Sequence, residues 1–175
     1  MAEPNKYLIE IHKIIVDWLK FAEAKNAGLL TGNLVSIFGV SKLEFFSGAH
    51  VYSWAWWYYT SIVFFCGLSA LCCLLSIVPQ IEIPWFWLST DKYPPGNLVF
   101  FGSIANQSPE NYSRKLQEET GCEFKRFEKD LAEQIVVNSK IARRKFSSFK
   151  VSAWLTLSGF ITPVISGLLI LLREK

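Results

Sequence analysis

The sequence predicts an all-α membrane protein, with three transmembrane helices, or two, continuous with a cytoplasmic helical bundle. Two uncharged stretches carry this prediction, the 25 residues Trp54–Val78 and the 22 residues Val151–Leu172. About 20 helical residues cross the hydrocarbon core of a bilayer, so both are long enough. The alternative is the core helix of a soluble protein, but such a helix normally carries a polar stripe, and neither stretch has a charged one.

The composition agrees with apolar blocks attached to a charged part. Of 175 residues, 51% are hydrophobic, 15% aromatic and 19% charged, which excludes a disordered chain. Four cysteines are too few for a disulfide scaffold. The mean hydropathy is positive without being extreme, so the placement of the apolar residues matters more than their number.

Residues 1–25 form a predicted amphipathic cytoplasmic helix. Pro4 suits a first helical turn. Apolar residues then recur every three to four positions, at Tyr7, Leu8, Ile11, Ile14, Ile15, Trp18 and Phe21 or Ala22. No breaker separates this helix from the next apolar stretch.

Residues 26–78 form the predicted transmembrane region, with spans at about 26–46 and 54–78. The first is the weaker, because only 16 uncharged residues lie between Lys25 and Lys42 and they include Asn33. It is interpreted either as a short span whose flanking lysines reach the interface, or as a buried helical segment. Gly28 and Gly32 give it a face on which helices can approach closely.

Lysine and arginine placement predicts the topology. Residues 79–150 carry eleven Lys/Arg, and five of these lie from Lys140 to Lys150, directly before the last span at 151–172. The positive-inside rule therefore makes 79–150 cytoplasmic and puts the C-terminus on the opposite side of the membrane. Three spans also bring the lysines of residues 6–25 inside, so three fit the rule better than two.

Helices are expected in the second half of 79–150. A short extended piece is predicted at Asn97–Phe101, and Ser108-Pro109 is a helix start. Thr120-Gly121 interrupts that helix, and another runs from about Cys122 into the last span. Its apolar stripe is Phe124, Phe127, Leu131, Ile135, Asn138, Ile141, Phe146 and Phe149. Asn138 either sets the register of helix packing or faces a ligand or pore.

The sequence offers no catalytic constellation, and we expect neither an enzyme nor a metal or other cofactor. His12 is expected among polar helix positions and His50 on the other side of the membrane, so they cannot share a metal. The basic residues Lys140, Arg143, Arg144 and Lys145 either fix topology and hold lipid headgroups or form an anion site. Nine acidic residues in the same segment disfavour nucleic-acid binding.

Three stretches resemble the membrane-spanning effector family of bacterial Pycsar anti-phage systems. They are WLKFAEAKNAGLLTGN at Trp18–Asn33, FFGSIA at Phe100–Ala105 with Tyr112 following, and DLAEQIVVNSKIARRKF at Asp130–Phe146. Their order and spacing cover most of the chain, and the third is the most specific.

The resemblance implies an effector that senses a cyclic pyrimidine mononucleotide, cUMP or cCMP, and disrupts the bacterial inner membrane, causing abortive infection. A pore of so few spans would need several chains, so a homo-oligomer is expected. The candidate ligand or gating residues are Glu23, Lys25, Asn33, Gln134, Asn138, Ser139, Lys140, Arg144 and Lys145. Glu23 and Lys25 are expected to meet Lys140 and Lys145 at one depth. A structural ion-pair junction, and a scaffold or holin-like pore subunit without a nucleotide, stay open as alternatives.

Overall fold

The computed structural model describes residues 4–47, 54–77 and 96–173. Five helices follow one another in these residues: α1 (Pro4–Ser47), α2 (Trp54–Ile77), α3 (Phe101–Ile104), α4 (Pro109–Thr120) and α5 (Arg126–Arg173). No strand occurs in the described ranges, which confirms the all-α class. His50 and residues 79–95 of the predicted cytoplasmic region lie outside them.

Two of the described helices are long and apolar enough to cross a bilayer. One is α2, over Trp56–Ile77, and the other is the portion Arg126–Ile165 of α5. The predicted span at 26–46 lies within the continuous helix α1. This helix is less apolar than the other two and is not one of the two candidate spans. The described helices therefore support two spans by length and composition.

The chain divides into two compact units. The first contains Met1–Ala24 and Ile81–Ser147, and the second contains Lys25–Gln80 and Ser148–Lys175. α1 and α5 contribute residues to both units, whereas α3 and α4 belong to the first and α2 to the second.

The first unit has one apolar core, to which α1, α3, α4 and α5 all contribute. Burial of these side chains supplies the main driving force for packing the four helices. Its members are Leu8, Ile11, Ile15, Phe101, Ile104, Tyr112, Leu116, Phe124, Ala132, Ile135, Val136 and Ala142.

The predicted stripes are partly misplaced around their helices. Phe127 is 60% exposed and Tyr7 50% exposed, although both were expected inside. The buried line of α5 instead uses Ala132, Val136 and Ala142, beside Ile135. The rest of the predicted stripe is largely confirmed, because Phe124 and Ile135 lie in the core and Leu131 and Phe146 pack against it, while small side chains beside them let neighbouring helices approach closely.

The extended piece expected at Asn97–Phe101 is wrong. The Asn97 side-chain oxygen accepts hydrogen bonds from the backbone N–H groups of Val99 and Phe100, both at 2.9 Å. This local turn leads into α3, a single helical turn starting at Phe101. An asparagine that bonds the backbone two and three residues ahead favours a turn over a strand.

The predicted ends of α4 are confirmed. The Ser108 hydroxyl accepts from Asn111 N–H at 3.2 Å and Pro109 follows it, while Gly121 adopts a left-handed φ of 65°. The next helix begins at Arg126 and not at about Cys122. The chain turns at Gly121, and residues 122–125 after it are not helical.

In the second unit, a glycine lets α2 and α5 approach closely. A Cβ atom added at Gly159 would lie 2.9 Å from the Cβ of Phe65. Pro163 lies inside α5, four residues further on. Proline is tolerated inside membrane helices when neighbouring groups bond the backbone that it leaves unpaired.

Candidate functional site

An ion pair joins α1 to α5 in the first unit. Lys145 Nζ lies 3.0 Å from Glu23 Oε1, and their side chains are 10% and 52% exposed respectively. Sequence reasoning expected Glu23 to meet Lys145, and the structure brings these two together. Because the Lys145 side chain is largely buried, water screens this pair less than it screens an ion pair between two exposed side chains.

A cluster of aromatic rings joins α1, α3 and α5 in the same unit. Phe146, next to Lys145, stacks on Phe101 with ring centroids 5.1 Å apart. Trp18 contacts both rings, with centroids 5.6 Å from Phe101 and 6.0 Å from Phe146. Trp18 and Phe21 keep a substantial part of their surface exposed. The result is a partly open aromatic surface in the first unit, which also contains the Glu23–Lys145 pair.

A polar cluster lies about two helical turns before Lys145 on α5. Gln134 donates from its side-chain amide to Asn138 Oδ1 at 3.3 Å. Asn138 Nδ2 lies 3.4 Å from His12 Nε2 on α1, close enough to donate when the histidine proton is on Nδ1. The contact joins the two helices inside the unit. The Ser139 hydroxyl is buried and has no hydrogen-bond partner in the described part of the chain.

The remaining basic residues of α5 face the segment between α3 and α4. Arg143 donates to the side-chain oxygen of Asn106, and Arg144 is buried. The pKa of Glu110 is lowered by its own backbone N–H, then by the Ser108 hydroxyl, with a smaller effect of the positive charge of Lys140. Lys140 and Arg143 therefore lie near residues 106–110 and not at the Glu23 carboxylate.

A shallow groove of about 350 Å³ lies between α4 and α5. It is lined by Pro109, Glu110, Ser113, Arg114, Gln117, Lys129, Asp130 and Glu133. Acidic and basic side chains are mixed along it, so the groove favours no ligand charge.

Lys25 and Asn33 belong to the second unit. Lys25 places its ammonium over the Phe149 ring, 5.2 Å from the centroid. Asn33 is buried and donates to the Ser69 hydroxyl at 2.8 Å, while Thr156 donates to Asn33 Oδ1 at 2.8 Å. One side chain of α1 thus bonds to both helices that can span a membrane.

Sequence reasoning missed His12, Ser69 and Thr156 as members of polar contacts. His12 was expected among polar helix positions, but it reaches Asn138. His12 lies four residues after Leu8 and three residues before Ile15, both of which are buried. This spacing places it next to the buried face of α1 and is the sequence feature that indicated its contact. Ser69 and Thr156 lie in uncharged stretches, where hydroxyls are common, so only the structure identifies their partners.

Nearly the whole chain matches the model of one protein family. Residues 7–173 match the family model described as the Pycsar effector protein domain, PycTM. The chain belongs to the Pycsar effector family. As a Pycsar effector it is a membrane protein of an anti-phage defence family, which agrees with its two apolar helices. No curated protein sequence and no solved structure is similar enough to count as a match.

Within this Pycsar effector, the matched range includes both the Glu23–Lys145 pair of the first unit and the Asn33 contacts of the second. No group of three or more His, Cys, Asp or Glu side chains suited to a metal occurs among the described residues.

Proposed function

We propose that this Pycsar effector senses a cyclic pyrimidine mononucleotide, cUMP or cCMP, through its first unit and then impairs the bacterial inner membrane, so that infection is abortive. The observation that carries the proposal is the largely buried Lys145 side chain, paired with Glu23 in a unit that also has a partly exposed aromatic surface, in a chain of this family. The protein acts by a change of conformation and catalyses no reaction.

The chemistry of the site suits such a ligand. A cyclic nucleotide has one phosphate charge, which competes with the Glu23 carboxylate for Lys145. Its base can stack on the exposed faces of Trp18 and Phe21, because stacking on aromatic side chains accepts any base. The bound state then lacks the ion pair between α1 and α5. The ligand shifts the effector towards that state by its difference in affinity for the two.

We further propose three spans, with residues 26–46 as the first, and a homo-oligomer in the inner membrane. Asn33 supports the third span, because it is fully buried and bonds to Ser69 of α2 and Thr156 of α5. A segment that packs against two spanning helices lies in the bilayer with them. The first unit is then cytoplasmic and the C-terminus periplasmic.

Calorimetry on the detergent-purified protein tests the proposal. We expect cUMP or cCMP to bind, and cyclic AMP serves as the purine control. Lys145→Ala is expected to weaken binding by about tenfold, because one charge-assisted contact to the phosphate is lost. Lys140→Ala is expected to weaken binding less, and Lys129→Ala, an exposed lysine on the same helix, to leave it unchanged.

Phage challenge supplies the functional arm. Lys145→Ala is expected to reduce membrane depolarisation and protection during infection in cells that carry a pyrimidine nucleotide cyclase, in line with its weaker nucleotide binding. Binding of neither nucleotide, or intact defence in the Lys140→Ala and Lys145→Ala variants, would contradict the proposal. Depolarisation without any nucleotide would favour the pore or holin-like alternative, and defence without depolarisation would favour a scaffold.

A further inference from the structure

The interior of the second unit contains several polar side chains. Hydroxyl and amide groups commonly hydrogen-bond across helices in a bilayer. Here six buried side chains carry such a group, Asn26, Asn33, Ser69, Ser76, Ser148 and Ser152.

Three of the helices meet through these groups. Asn33 of α1 donates to Ser69 Oγ of α2, and Ser69 donates to the backbone carbonyl of Ser152 in α5 at 2.7 Å. Thr156 closes the set by donating to Asn33 Oδ1. The Ser152 hydroxyl is fully buried and lies within hydrogen-bonding reach of the Cys73 thiol of α2.

The polar groups continue along the helix axes. On α5, Ser148, Ser152 and Thr156 are four residues apart, so they lie on one face along about 12 Å of helix. Ser148 donates to the Cys72 carbonyl of α2 at 3.1 Å. On α2, Ser69 and Ser76 are seven residues apart and share a face. The opposite surfaces of both helices are apolar, with Phe64, Trp154 and Leu157 exposed.

Polar side chains thus lie among the buried residues of each spanning helix, together with apolar ones such as Ile62 and Ala70 of α2, and the outward faces are apolar. We propose that the inward polar residues, Asn33, Ser69, Ser148, Ser152 and Thr156, line part of the path by which water and monovalent ions cross the membrane in the active effector. In the resting protein the same groups bond to one another and close that path. The inference rests on the proposed function, since it presumes a membrane leak, and it assigns the residues that form it.

Separation of α1 from α2 and α5 would be tolerated only with water present. The Asn33 amide and the Thr156 and Ser69 hydroxyls lose their mutual bonds on separation, and unsatisfied polar groups in hydrocarbon cost several kcal/mol each. Water entering between the helices restores those bonds. Opening and hydration of the path are therefore a single event, and lipid cannot fill the gap.

Cysteine accessibility tests the inference in proteoliposomes that contain the full chain. The starting protein has its native residues Cys66, Cys72, Cys73 and Cys122 replaced by alanine, and Thr156→Cys is introduced. A membrane-impermeant, cationic methanethiosulfonate reagent reports access, and cUMP and then cCMP serve as activators. Leu157→Cys is the matched control, one residue away and on the lipid side.

We expect the nucleotide that causes the leak to raise labelling of Thr156→Cys at least about tenfold, because only a hydrated thiol ionises and meets a charged reagent. Leu157→Cys should not change. A leak without labelling of Thr156→Cys, equal labelling before activation, or equal labelling of the control would each overturn the inference and leave the proposed function standing. No leak with either nucleotide would overturn both.

A second variant keeps the test independent of the cysteine replacements. Thr156→Val has the shape of threonine without its hydroxyl, and Thr156→Ser keeps the hydroxyl. We expect Thr156→Val to lower the maximal ion flux at saturating nucleotide several-fold, because an apolar position in a narrow path repels water, and Thr156→Ser to retain it. An unchanged or higher flux in Thr156→Val would show that the hydroxyl only joins helices.

Discussion

At the scale of single residues, the effect of a charge depends on its surroundings more than on its partner. Two ion pairs involving α1 show this. Lys20 and Asp17 are 3.9 Å apart and both largely exposed, whereas Lys145 is buried against Glu23 at 3.0 Å. Water screens the first pair, so it contributes little to stability. The second pair is screened less because Lys145 is largely buried, so Glu23 is expected to stabilise the protein more than Asp17 does, and an anionic ligand can compete with it for Lys145.

Glu23→Gln is therefore expected to lower the free energy of unfolding by about 1–2 kcal/mol, between the values for an exposed pair and a fully buried one. Asp17→Asn is the matched control on the same helix, with an expected loss below about 0.5 kcal/mol. Chemical unfolding in detergent measures both. Equal losses would show that burial of Lys145 does not make its pair stronger.

At the scale of elements, small residues decide how the helices end and approach one another. Gly121 takes the left-handed conformation that ends α4, which side chains with a Cβ rarely adopt. Gly159 brings α5 against Phe65 of α2. In contrast, Gly67 has nothing within 4 Å of an added Cβ, so its glycine is not required by the packing of described residues.

Gly159→Ala is predicted to force α2 and α5 apart and to destabilise the protein by about 1–3 kcal/mol, as overpacking does. Gly67→Ala should be neutral or slightly stabilising, by up to about 1 kcal/mol, because alanine favours a helix over glycine. Thermal unfolding in detergent distinguishes the two variants. A stable Gly159→Ala protein would contradict the close approach of the two helices.

At the scale of the whole molecule, the number of spans fixes which parts of the chain share a compartment. The uncharged part of α1 lies between Lys25 and Lys42 and contains Asn33. This segment is less apolar than α2 and the last part of α5. Its polar residue is satisfied by Ser69 and Thr156. Polar side chains bonded across helices are compatible with a bilayer, although they lower the hydropathy of the segment.

Three spans predict that the N-terminus and the 96–150 segment lie on the cytoplasmic side and the C-terminus on the periplasmic side. Reporter fusions at the N-terminus and after Lys175, one active only in the periplasm and one only in the cytoplasm, measure this. A cytoplasmic N-terminus is expected. A periplasmic N-terminus with the same C-terminal location would establish two spans instead.

The sequence by itself determined the all-α class and the limits of α4. Both follow from local physics: uncharged runs of sufficient length, a serine cap before proline, and a glycine at the helix end. The resemblance to a family also placed Glu23 and Lys25 near Lys140 and Lys145, and of these only Glu23 and Lys145 form an ion pair in the structure. The start of α5 and the turn before α3 depended on local bonds, such as those of Asn97, that propensity does not specify.

Only the tertiary structure decided which of several apolar faces is buried and which polar groups meet. Phe127 and Ala132 both lie on apolar-looking faces of α5, and close packing favours the one with alanines. Asn33, Ser69 and Thr156 are far apart in sequence, and a hydroxyl in an uncharged stretch has many possible acceptors. Periodicity specifies a face, but a hydrogen bond needs a partner at a distance and angle that only the packed helices provide.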